Sequence, residues 1–570
     1  MTWTRARSTT GLAAALHRWE RVGRRSLPID GFELVRLPGQ ARRGLYLAAN
    51  HVPVLEPDGH ILAWSAAPDR SSIAVQLAAS ADEDAALVIV DVASGTTIEF
   101  GDVRCRYDPM LWDRTSSRLS VVAEGSLVDV DVPGERVAGV DVLPVGRWRL
   151  FPGGEDGLLA HSRPGRPTTI LDRSTKTEIA QARAVTTIVD CDGAAVYGDG
   201  RGLHAIAPAS GRRLWDWCDP DITPTGIAVS GDRLLVAGVR AGRGVLAEVV
   251  SGVQIDEIDP EDSLGPVTVS AVAAAHDGFV VLVESFTRPP TPIRLDDVRG
   301  GRRPASPTST RWLTVPADDG TDLSVAVAAP AGDDRPRPMI LTCYGGFGQC
   351  ALPEFEPTAA AWVESGRSYA VAQVRGGGER GAAWRAAGYG PRKRRGVDDL
   401  TCVARGLVES GLTTPDLLVL AGASHGGVLA ASSAFGAPDT CAAVVATAAP
   451  LDLTRLDEHP LGHRWADEFG ADGTVAGDAR LASLSPLHRA GRLARADNVP
   501  AFLGIVLGED TRVAADATRR VVDTLRDVGG DAELWRRDDA GHGGNHLDAL
   551  HAMGARLLAF AADTTCEADA

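Results

Sequence analysis

The stretch from Leu417 to Ala430 constrains the fold of this chain more than any other. Its first five residues are apolar without interruption, as in a buried strand. Gly422-Ala-Ser-His-Gly426 then fits the pattern G-x-S-x-G, and an alanine-rich helical run follows. A strand that turns sharply into a helix at this pattern exposes the serine side chain, and glycines leave room for the strained turn. The alternative is an ordinary glycine-rich turn, but the context predicts that Ser424 is a nucleophile.

The length and charge of the chain limit its organisation and partners. A chain of 570 residues exceeds one hydrophobic core and should form two or three domains. Its hydrophobic content of 44% is that of a globular protein. A net charge of −17 argues against nucleic acid or an anionic membrane as partner. We interpret the basic run Arg392–Arg395 as a solvated loop.

The sequence also lacks the signs of a membrane, secreted or metal-binding protein. It contains no run of 18 apolar residues, and the apolar run near the N-terminus, 11–16, is too short for a signal peptide. The eight cysteines form no C-x-x-C pair. We therefore expect a cytoplasmic protein with reduced cysteines and with no metal or cofactor.

A repeat of short strands fills the first half of the chain. From about residue 60 to 300, an apolar strand, a polar loop and a second strand recur at a spacing of about 40 residues, which is the length of a four-stranded propeller blade. Six units are visible, and residues 46–64 supply strand material for a seventh. The pattern predicts a β-propeller, with seven blades favoured over six. One or two β-sandwiches are the alternative.

A linker-like segment rich in Pro, Ser and Thr, 302–311, ends the repeat. We expect an N-terminal segment over 1–45, which packs on the catalytic domain, a propeller over 46–305, and a catalytic domain over 306–570.

Strands and helices alternate in the second half. A hairpin is predicted within 312–329, and later strands and helices alternate as in a mostly parallel, doubly wound sheet. The predicted strands are 339–343, 369–374, 417–420, 442–446 and 501–506, and the predicted helices lie near 355–365, 397–410, 426–436, 514–529 and 547–563. Such a sheet with a nucleophile elbow predicts an α/β-hydrolase fold, with its site at the carboxyl ends of the strands.

The partners of Ser424 should follow it in the order acid, then histidine. Two acidic candidates, Glu509 and Asp510, follow the strand at 501–506, and we assign the role to Asp510, although it could instead cap a helix. His542, between two glycines, is the predicted base. The competing histidines are His425, His546 and His551.

The predicted chemistry is acyl transfer. His542 would remove the proton of Ser424 and return it to the leaving group, while Asp510 would hold the imidazole. The backbone N–H of His425 would be one donor to the oxyanion.

Seven collinear motifs over about 310–560 resemble the prolyl oligopeptidase family of serine peptidases. They are Tyr344-Gly-Gly-Phe-Gly348, Val374-Arg-Gly-Gly-Gly-Glu-Arg-Gly-Ala-Ala-Trp384, Gly422-Ala-Ser-His-Gly-Gly427, Gly462-His-Arg-Trp465, Leu484-Ser-Pro-Leu-His488, Asp510-Thr-Arg-Val513 and Ala540-Gly-His-Gly543. The propeller resembles the family in architecture only.

The resemblance implies further roles for particular residues. Tyr344 matches the second oxyanion donor, and Arg512 matches the arginine that holds a carbonyl of the residue before the proline. A proline pocket is implied for Phe347, Trp465, Phe469 and Val513, together with Pro450, which departs from the small apolar residue of the family pattern. A second departure is His425, where the family has asparagine.

The sequence therefore predicts a serine oligopeptidase that cleaves short peptides after proline, with the propeller covering its site. The second hypothesis is an enzyme of the same family that matures one dedicated peptide, by leader removal or by macrocyclisation. A third is a propeller scaffold that carries an inactive hydrolase fold.

Overall fold

The computed structural model describes all residues except 1, 23–25, 39, 154–155, 164–165, 183–184, 186, 200–201, 301–307, 333–334, 495–497, 544–545 and 566–570. A helix, α1 (Thr2–Glu20), precedes a propeller and a C-terminal α/β domain. Most of the predicted linker, and with it the proposed boundary at residue 305, lies outside the described residues.

Seven antiparallel sheets form the propeller in the described part of the chain, which confirms seven blades. The first four sheets are β1 (Phe32–Val35), β2 (Gly44–Leu47) and β3 (Pro53–Leu55); β4 (His60–Ala66), β5 (Ser72–Ala78), β6 (Ala85–Asp91) and β7 (Thr97–Cys105); β8 (Met110–Trp112), β9 (Arg118–Ala123), β10 (Ser126–Asp131) and β11 (Arg136–Val142); and β12 (Arg147–Phe151), β13 (Leu158–Ser162), β14 (Thr168–Asp172) and β15 (Glu178–Ala182).

The remaining three sheets are β16 (Thr187–Cys191), β17 (Ala194–Gly198), β18 (Gly202–Ile206) and β19 (Arg213–Cys218); β20 (Ile222–Ser230), β21 (Arg233–Arg240), β22 (Arg243–Val250) and β23 (Val253–Ile258); and β24 (Thr268–Ala275), β25 (Gly278–Ser285) and β26 (Arg288–Arg294).

Neighbouring blades are held together by apolar side chains from their central strands. Leu87 of β6 and Leu119 of β9, for example, belong to one buried cluster between two blades. Central strands are covered on both faces and are therefore almost wholly apolar. This explains why the repeat was visible in the sequence as pairs of apolar strands, whereas the more polar outer strands of the blades were not recognised.

The C-terminal domain is built on one eight-stranded sheet. Its strands are β27 (Thr308–Pro316), β28 (Asp322–Pro330), β29 (Met339–Cys343), β30 (Ser368–Gln373), β31 (Leu418–Ala423), β32 (Ala443–Thr447), β33 (Ala501–Leu507) and β34 (Ala532–Arg537), in the spatial order β27-β28-β30-β29-β31-β32-β33-β34. The leading hairpin is antiparallel, and the six strands from β30 to β34 are parallel. Helices cover both faces, so the predicted α/β-hydrolase fold is confirmed.

Five predicted helices occur close to their predicted positions. The helices after α1 are α2 (Pro260–Leu264), α3 (Leu295–Arg299), α4 (Pro357–Glu364), α5 (Gly381–Ala387), α6 (Arg394–Glu409), α7 (His425–Gly436), α8 (Ala466–Phe469), α9 (Val475–Leu484), α10 (Pro486–Ala490), α11 (Asp516–Asp527) and α12 (Leu547–Thr564). The sequence did not predict α8 to α10, which are short and lie between β32 and β33. None of the described helices is long and apolar enough to cross a bilayer.

The N-terminal helix packs on the C-terminal domain. Leu12 and Leu16 are buried in one cluster with Trp362 and Phe560. Strand β1, which lies before the proposed boundary at residue 45, pairs with β2 of the first propeller sheet.

Candidate active site

Ser424 lies in a strained turn between β31 and α7. Its φ of 51° and ψ of −123° belong to a region that non-glycine residues rarely adopt. A Cβ on Gly422 would lie 2.3 Å from the carbonyl carbon of Gly426, and a Cβ on Gly426 would lie 2.4 Å from the carbonyl oxygen of Cys343. Both glycines of the motif are therefore required by close backbone packing. The turn leaves Ser424 partly exposed at the carboxyl edge of the sheet.

Asp510 and His542 form a direct pair at the same edge. They follow the adjacent parallel strands β33 and β34, and 2.8 Å separates His542 Nδ1 from Asp510 Oδ2. Because a carboxylate only accepts hydrogen bonds, Nδ1 donates, and Nε2 keeps its lone pair. Asp510 Oδ1 also accepts from the backbone N–H groups of Arg512 and Val513, at 2.8 and 2.9 Å. The Ser424 hydroxyl hydrogen-bonds to none of the described groups.

The structure separates the two acidic candidates. The Glu509 carboxylate points away from His542 and accepts from the backbone N–H of Ala81 in the propeller, at 2.8 Å. Only Asp510 contacts the predicted base.

The competing histidines have other partners. His546 Nδ1 accepts from Arg42 Nε at 2.9 Å, and His551 Nδ1 lies 2.6 Å from the Glu20 carboxylate. His425 is buried, and its Nδ1 donates to the carbonyl oxygen of Tyr344 at 2.8 Å. Burial also holds the pKa of His425 well below its usual value, so the ring is neutral.

Three aromatic rings surround the imidazole of His425. The ring centroids of Tyr344 and Phe347 lie 5.6 Å from it, and that of Phe469 lies 5.1 Å from it in a stacked arrangement. A Cβ on Gly346 would lie 2.6 Å from this imidazole, so glycine is needed there. Burial raises the pKa of Tyr344, which keeps its hydroxyl protonated and able to donate.

Trp465 and the backbone of Ala514, which follows Val513, are connected through a histidine that the sequence did not single out. The ring of His459 lies 5.6 Å from that of Trp465, and its Nδ1 accepts from the backbone N–H of Ala514 at 3.0 Å. Phe469, Val513 and Pro450 are buried, whereas Trp465 is partly exposed. Of the aromatic residues of the predicted pocket, Phe347 and Phe469 thus lie beside His425, whereas Trp465 lies beside His459.

Arg512 is paired with the propeller. Its Nε donates to the Glu83 carboxylate at 3.1 Å, and Arg106 donates to the same carboxylate. Burial alone would raise the pKa of Glu83, but the hydrogen bonds from the two guanidinium groups outweigh it and lower the pKa below its usual value. No residue of the propeller was predicted at the site, so Glu83 was missed; its short acidic loop has no distinctive pattern.

The same propeller loop explains the glycines beside His542. A Cβ on Gly541 would lie 1.9 Å from the carbonyl oxygen of Ala81, and one on Gly543 would lie 2.1 Å from Glu83 Oε1. These glycines let the propeller approach the histidine loop closely.

The prediction that 392–395 is a solvated loop is wrong for Lys393. This side chain is 1% exposed and forms a buried ion pair with Glu468, which is 2% exposed. Its ammonium group also donates to the carbonyl oxygen of Gly345 at 3.2 Å, beside the tyrosine loop. The ion pair offsets part of the desolvation that lowers the pKa of Lys393. No group of three or more metal-ligating side chains occurs among the described residues.

The sequence comparisons identify similar proteins in one family. The family model described as "Prolyl oligopeptidase family" matches residues 353–566. A prolyl endopeptidase of Elizabethkingia miricola is 33% identical over 173 residues, which are 30% of this chain and 24% of that protein. A dual function macrocyclase-peptidase of Amanita bisporigera is 32% identical over 213 residues, or 36% of this chain and 29% of that protein. The chain thus spans only 24–29% of the length of these curated relatives.

Solved structures resemble the chain over nearly its whole length. One from a study of two prolyl endopeptidases superposes with a TM-score of 0.82 at 19% identity, covering 99% of this chain and 94% of that one. A likeness at this identity establishes the two-domain fold.

Proposed function

We propose that this chain, whose residues 353–566 match the prolyl oligopeptidase family model, is a serine-type peptidase of that family and hydrolyses short peptides on the carboxyl side of proline. The observation that carries the proposal is the 2.8 Å pair between His542 Nδ1 and Asp510, at the sheet edge where the strained turn presents Ser424.

In the proposed mechanism, Ser424 is the nucleophile and His542 the general base. His542 Nε2 takes the hydroxyl proton as Ser424 Oγ attacks the substrate carbonyl, and the imidazolium then protonates the leaving amine. Asp510 keeps Nδ1 protonated and stabilises the imidazolium. A water molecule that gives its proton to His542 then attacks the acyl-enzyme carbonyl. The imidazolium returns this proton to Ser424 Oγ, and the product acid is released.

Two donors would stabilise the oxyanion. The backbone N–H of His425 begins α7, where the first N–H groups have no partner within the helix and the helix dipole favours negative charge. The Tyr344 hydroxyl would be the second donor, and its raised pKa supports this role.

The proline preference would come from aromatic and apolar walls. Phe347, Trp465, Phe469 and Val513, with Pro450 behind them, would form a pocket in which an indole face suits a pyrrolidine ring. Arg512 would donate to a carbonyl of the residue before the proline. Its pairing with Glu83 supports this role, because a guanidinium held at its Nε edge still has other N–H groups to offer.

A second candidate function is maturation of one dedicated peptide by leader removal or macrocyclisation. The match to the Amanita bisporigera protein described as a macrocyclase-peptidase supports it. Mass spectrometry of the products from a linear peptide that ends in a proline-containing recognition sequence would separate a ring from two linear fragments.

The test of the first proposal uses a proline–chromogenic amide substrate and a fluorophosphonate probe. The wild-type protein should release the chromophore and become labelled at Ser424, and the Ser424→Ala variant should do neither. His542→Gln should lose turnover by at least about 10³-fold while remaining folded. Turnover that persists in Ser424→Ala would refute the assignment.

We also propose a cytoplasmic location. Cys343, Cys402 and Cys441 are buried free thiols, which suits a reducing compartment. Cell fractionation with an antibody to the protein would test this, and recovery outside the cytoplasmic fraction would contradict it.

A further inference from the structure

A large cavity lies between the propeller and the peptidase domain, next to the proposed proline pocket. Its volume is about 810 Å³, which is in the range of ligand-binding cavities. The propeller lines it with residues of β20 and β24, and the peptidase domain lines it with 347–354 and residues of α5. It begins at Phe347, whose ring lies 5.6 Å from that of His425, the residue after the proposed nucleophile. A peptide with proline in the pocket could therefore continue into this cavity.

Arg385 of α5 is the cationic group on the wall of this cavity. Its aliphatic part packs on Gly348, where a Cβ would lie 2.9 Å from Arg385 Cδ, and its guanidinium group lies 5.6 Å from the ring of Tyr389. These contacts fix the side chain, and neither of them is with an anionic group. Among the described residues, no carboxylate pairs with Arg385, whereas other arginines near the site, such as Arg375 and Arg512, do have carboxylate partners.

Two carboxylates, Asp199 and Glu354, line the same cavity without pairing with Arg385. Asp199 lies 3.3 Å from His204 Nε2 and accepts from the backbone N–H of Gly202. The guanidinium group is thus left available to a ligand.

We propose that Arg385 forms a subsite for a carboxylate of the peptide substrate. This inference rests on the proposed function, since it assigns the cavity to the same peptide. A planar guanidinium group binds a carboxylate through two parallel hydrogen bonds. The carboxylate is either the free C-terminus of a short substrate or the side chain of Asp or Glu near the cleaved bond.

The test uses matched peptides with one proline followed by one to five residues. Each is made as the free acid and as the amide, and a second amide series carries one glutamate at each position on either side of the proline. The wild-type protein should cleave one free acid, or one glutamate peptide, with a kcat/KM about tenfold or more above that of its neutral counterpart, chiefly through KM. If a free acid is preferred, the carboxylate that binds Arg385 is the C-terminus of the peptide. If a glutamate peptide is preferred, it is the side-chain carboxylate.

Arg385→Gln should reduce cleavage of the preferred peptide to the rate of its neutral counterpart, and Arg385→Lys should keep part of the preference. Arg405→Gln is the matched control, because Arg405 is an exposed arginine on α6 that does not line the cavity. Equal rates for all charged and neutral pairs, or a preference that persists in Arg385→Gln, would overturn the proposal.

Binding measured by calorimetry on the Ser424→Ala variant gives a readout independent of turnover. Tighter binding of the charged peptide, lost on adding Arg385→Gln, would support the subsite even if no peptide were cleaved, and only the proposed function would then fail. Equal affinities for charged and neutral peptides would refute the subsite, whether or not the wild-type protein cleaves after proline.

Discussion

Arg512 of the C-terminal domain and Glu83 of the propeller form an ion pair across the domain interface, with 3.1 Å between Arg512 Nε and the carboxylate. The two residues are separated by 429 positions in the sequence. Arg106 of the propeller donates to the same carboxylate and also to the Thr511 hydroxyl at 2.8 Å. One buried acidic residue thus joins the blade to the loop that carries Asp510, and the position of the proposed catalytic acid depends on contact between the domains.

Replacing Glu83 with glutamine should weaken this contact. The change leaves Arg106 and Arg512 facing each other without a counter-charge. We expect the free energy of unfolding to fall by about 1–3 kcal/mol. This is less than the value for a fully buried pair, because both arginines are partly exposed. Amide hydrogen exchange of the 79–84 and 508–513 segments should accelerate, and kcat/KM should fall.

Asp84→Asn is the matched control for this change. Asp84 lies in the same acidic loop but is exposed, and it pairs with the partly exposed Arg104 at 2.7 Å rather than with Arg512. Its replacement should change exchange in 508–513 little. A double-mutant cycle between Glu83→Gln and Arg512→Met measures the coupling directly, and additive effects would mean that the pair does not hold the interface.

The contribution of Glu83 to the free energy of unfolding should decrease as the pH falls. Its pKa is lowered in the folded protein, so its stabilising effect is complete above the usual pKa of about 4.3 and is lost as the pH falls through the lower folded-state value. The stability difference between wild type and Glu83→Gln in urea titrations should be constant from about pH 7 to 5. Below about pH 4 it should shrink. A difference that persists unchanged to pH 3 would contradict the assignment.

The fold was predictable because it depends on patterns that recur in the sequence. Central propeller strands and parallel strands are covered on both faces, so each is a short apolar run, and the spacing of such runs revealed both domains. The nucleophile turn was predictable for a similar reason. Gly422 and Gly426 are fixed by backbone contacts within about ten residues or with one neighbouring strand.

The charged residues of the site that the sequence did not predict are buried by segments that are distant in the sequence. Glu83 and Lys393 lie in runs of charged residues that usually face solvent, and each is buried by a segment at least 75 positions away. Asp510 and Glu509 are adjacent and follow the same strand, so the assignment of Asp510 depended on the motif Asp510–Val513 and not on the strand end alone. Only the packing of the loops turns Asp510 towards His542 and Glu509 towards Ala81.

Adding one methyl group at Gly426, in the turn at Ser424, should lower both stability and turnover. In Gly426→Ala, the new Cβ would lie 2.4 Å from the Cys343 carbonyl oxygen, which belongs to the sheet and cannot move freely. We expect a loss of about 1–3 kcal/mol in stability and a fall of at least about tenfold in kcat from displacement of Ser424. Thermal unfolding and turnover measure the two effects. Gly139→Ala, in the propeller, has nothing within 4 Å of the new Cβ and should be neutral; equal behaviour of the two variants would refute this view of the turn.

His425 should act through Tyr344 rather than through its own proton transfer. His425→Leu removes the donor to the Tyr344 carbonyl oxygen, and the unpaired carbonyl should cost about 1–3 kcal/mol. Displacement of the tyrosine should lower kcat more than it changes KM. His425→Asn retains a donor near the Nδ1 position and should restore part of kcat. Because burial lowers the pKa of His425, the ascending limb of the pH–rate profile should persist in His425→Asn. Disappearance of that limb would show that His425 itself transfers a proton.

The buried pair of Lys393 and Glu468 should be costly to break but not to replace. Lys393→Met leaves the Glu468 carboxylate buried without its counter-charge, and we expect a loss of about 3–5 kcal/mol in the free energy of unfolding. The double variant Lys393→Met/Glu468→Leu removes both charges and should recover most of that loss, because desolvation then no longer opposes folding. Arg394→Met, one residue away and exposed, should change stability by less than about 0.5 kcal/mol. If the double variant is as unstable as Lys393→Met, the loss comes from the missing bond to the Gly345 carbonyl oxygen, and Lys393 then serves to hold the tyrosine loop rather than to neutralise Glu468.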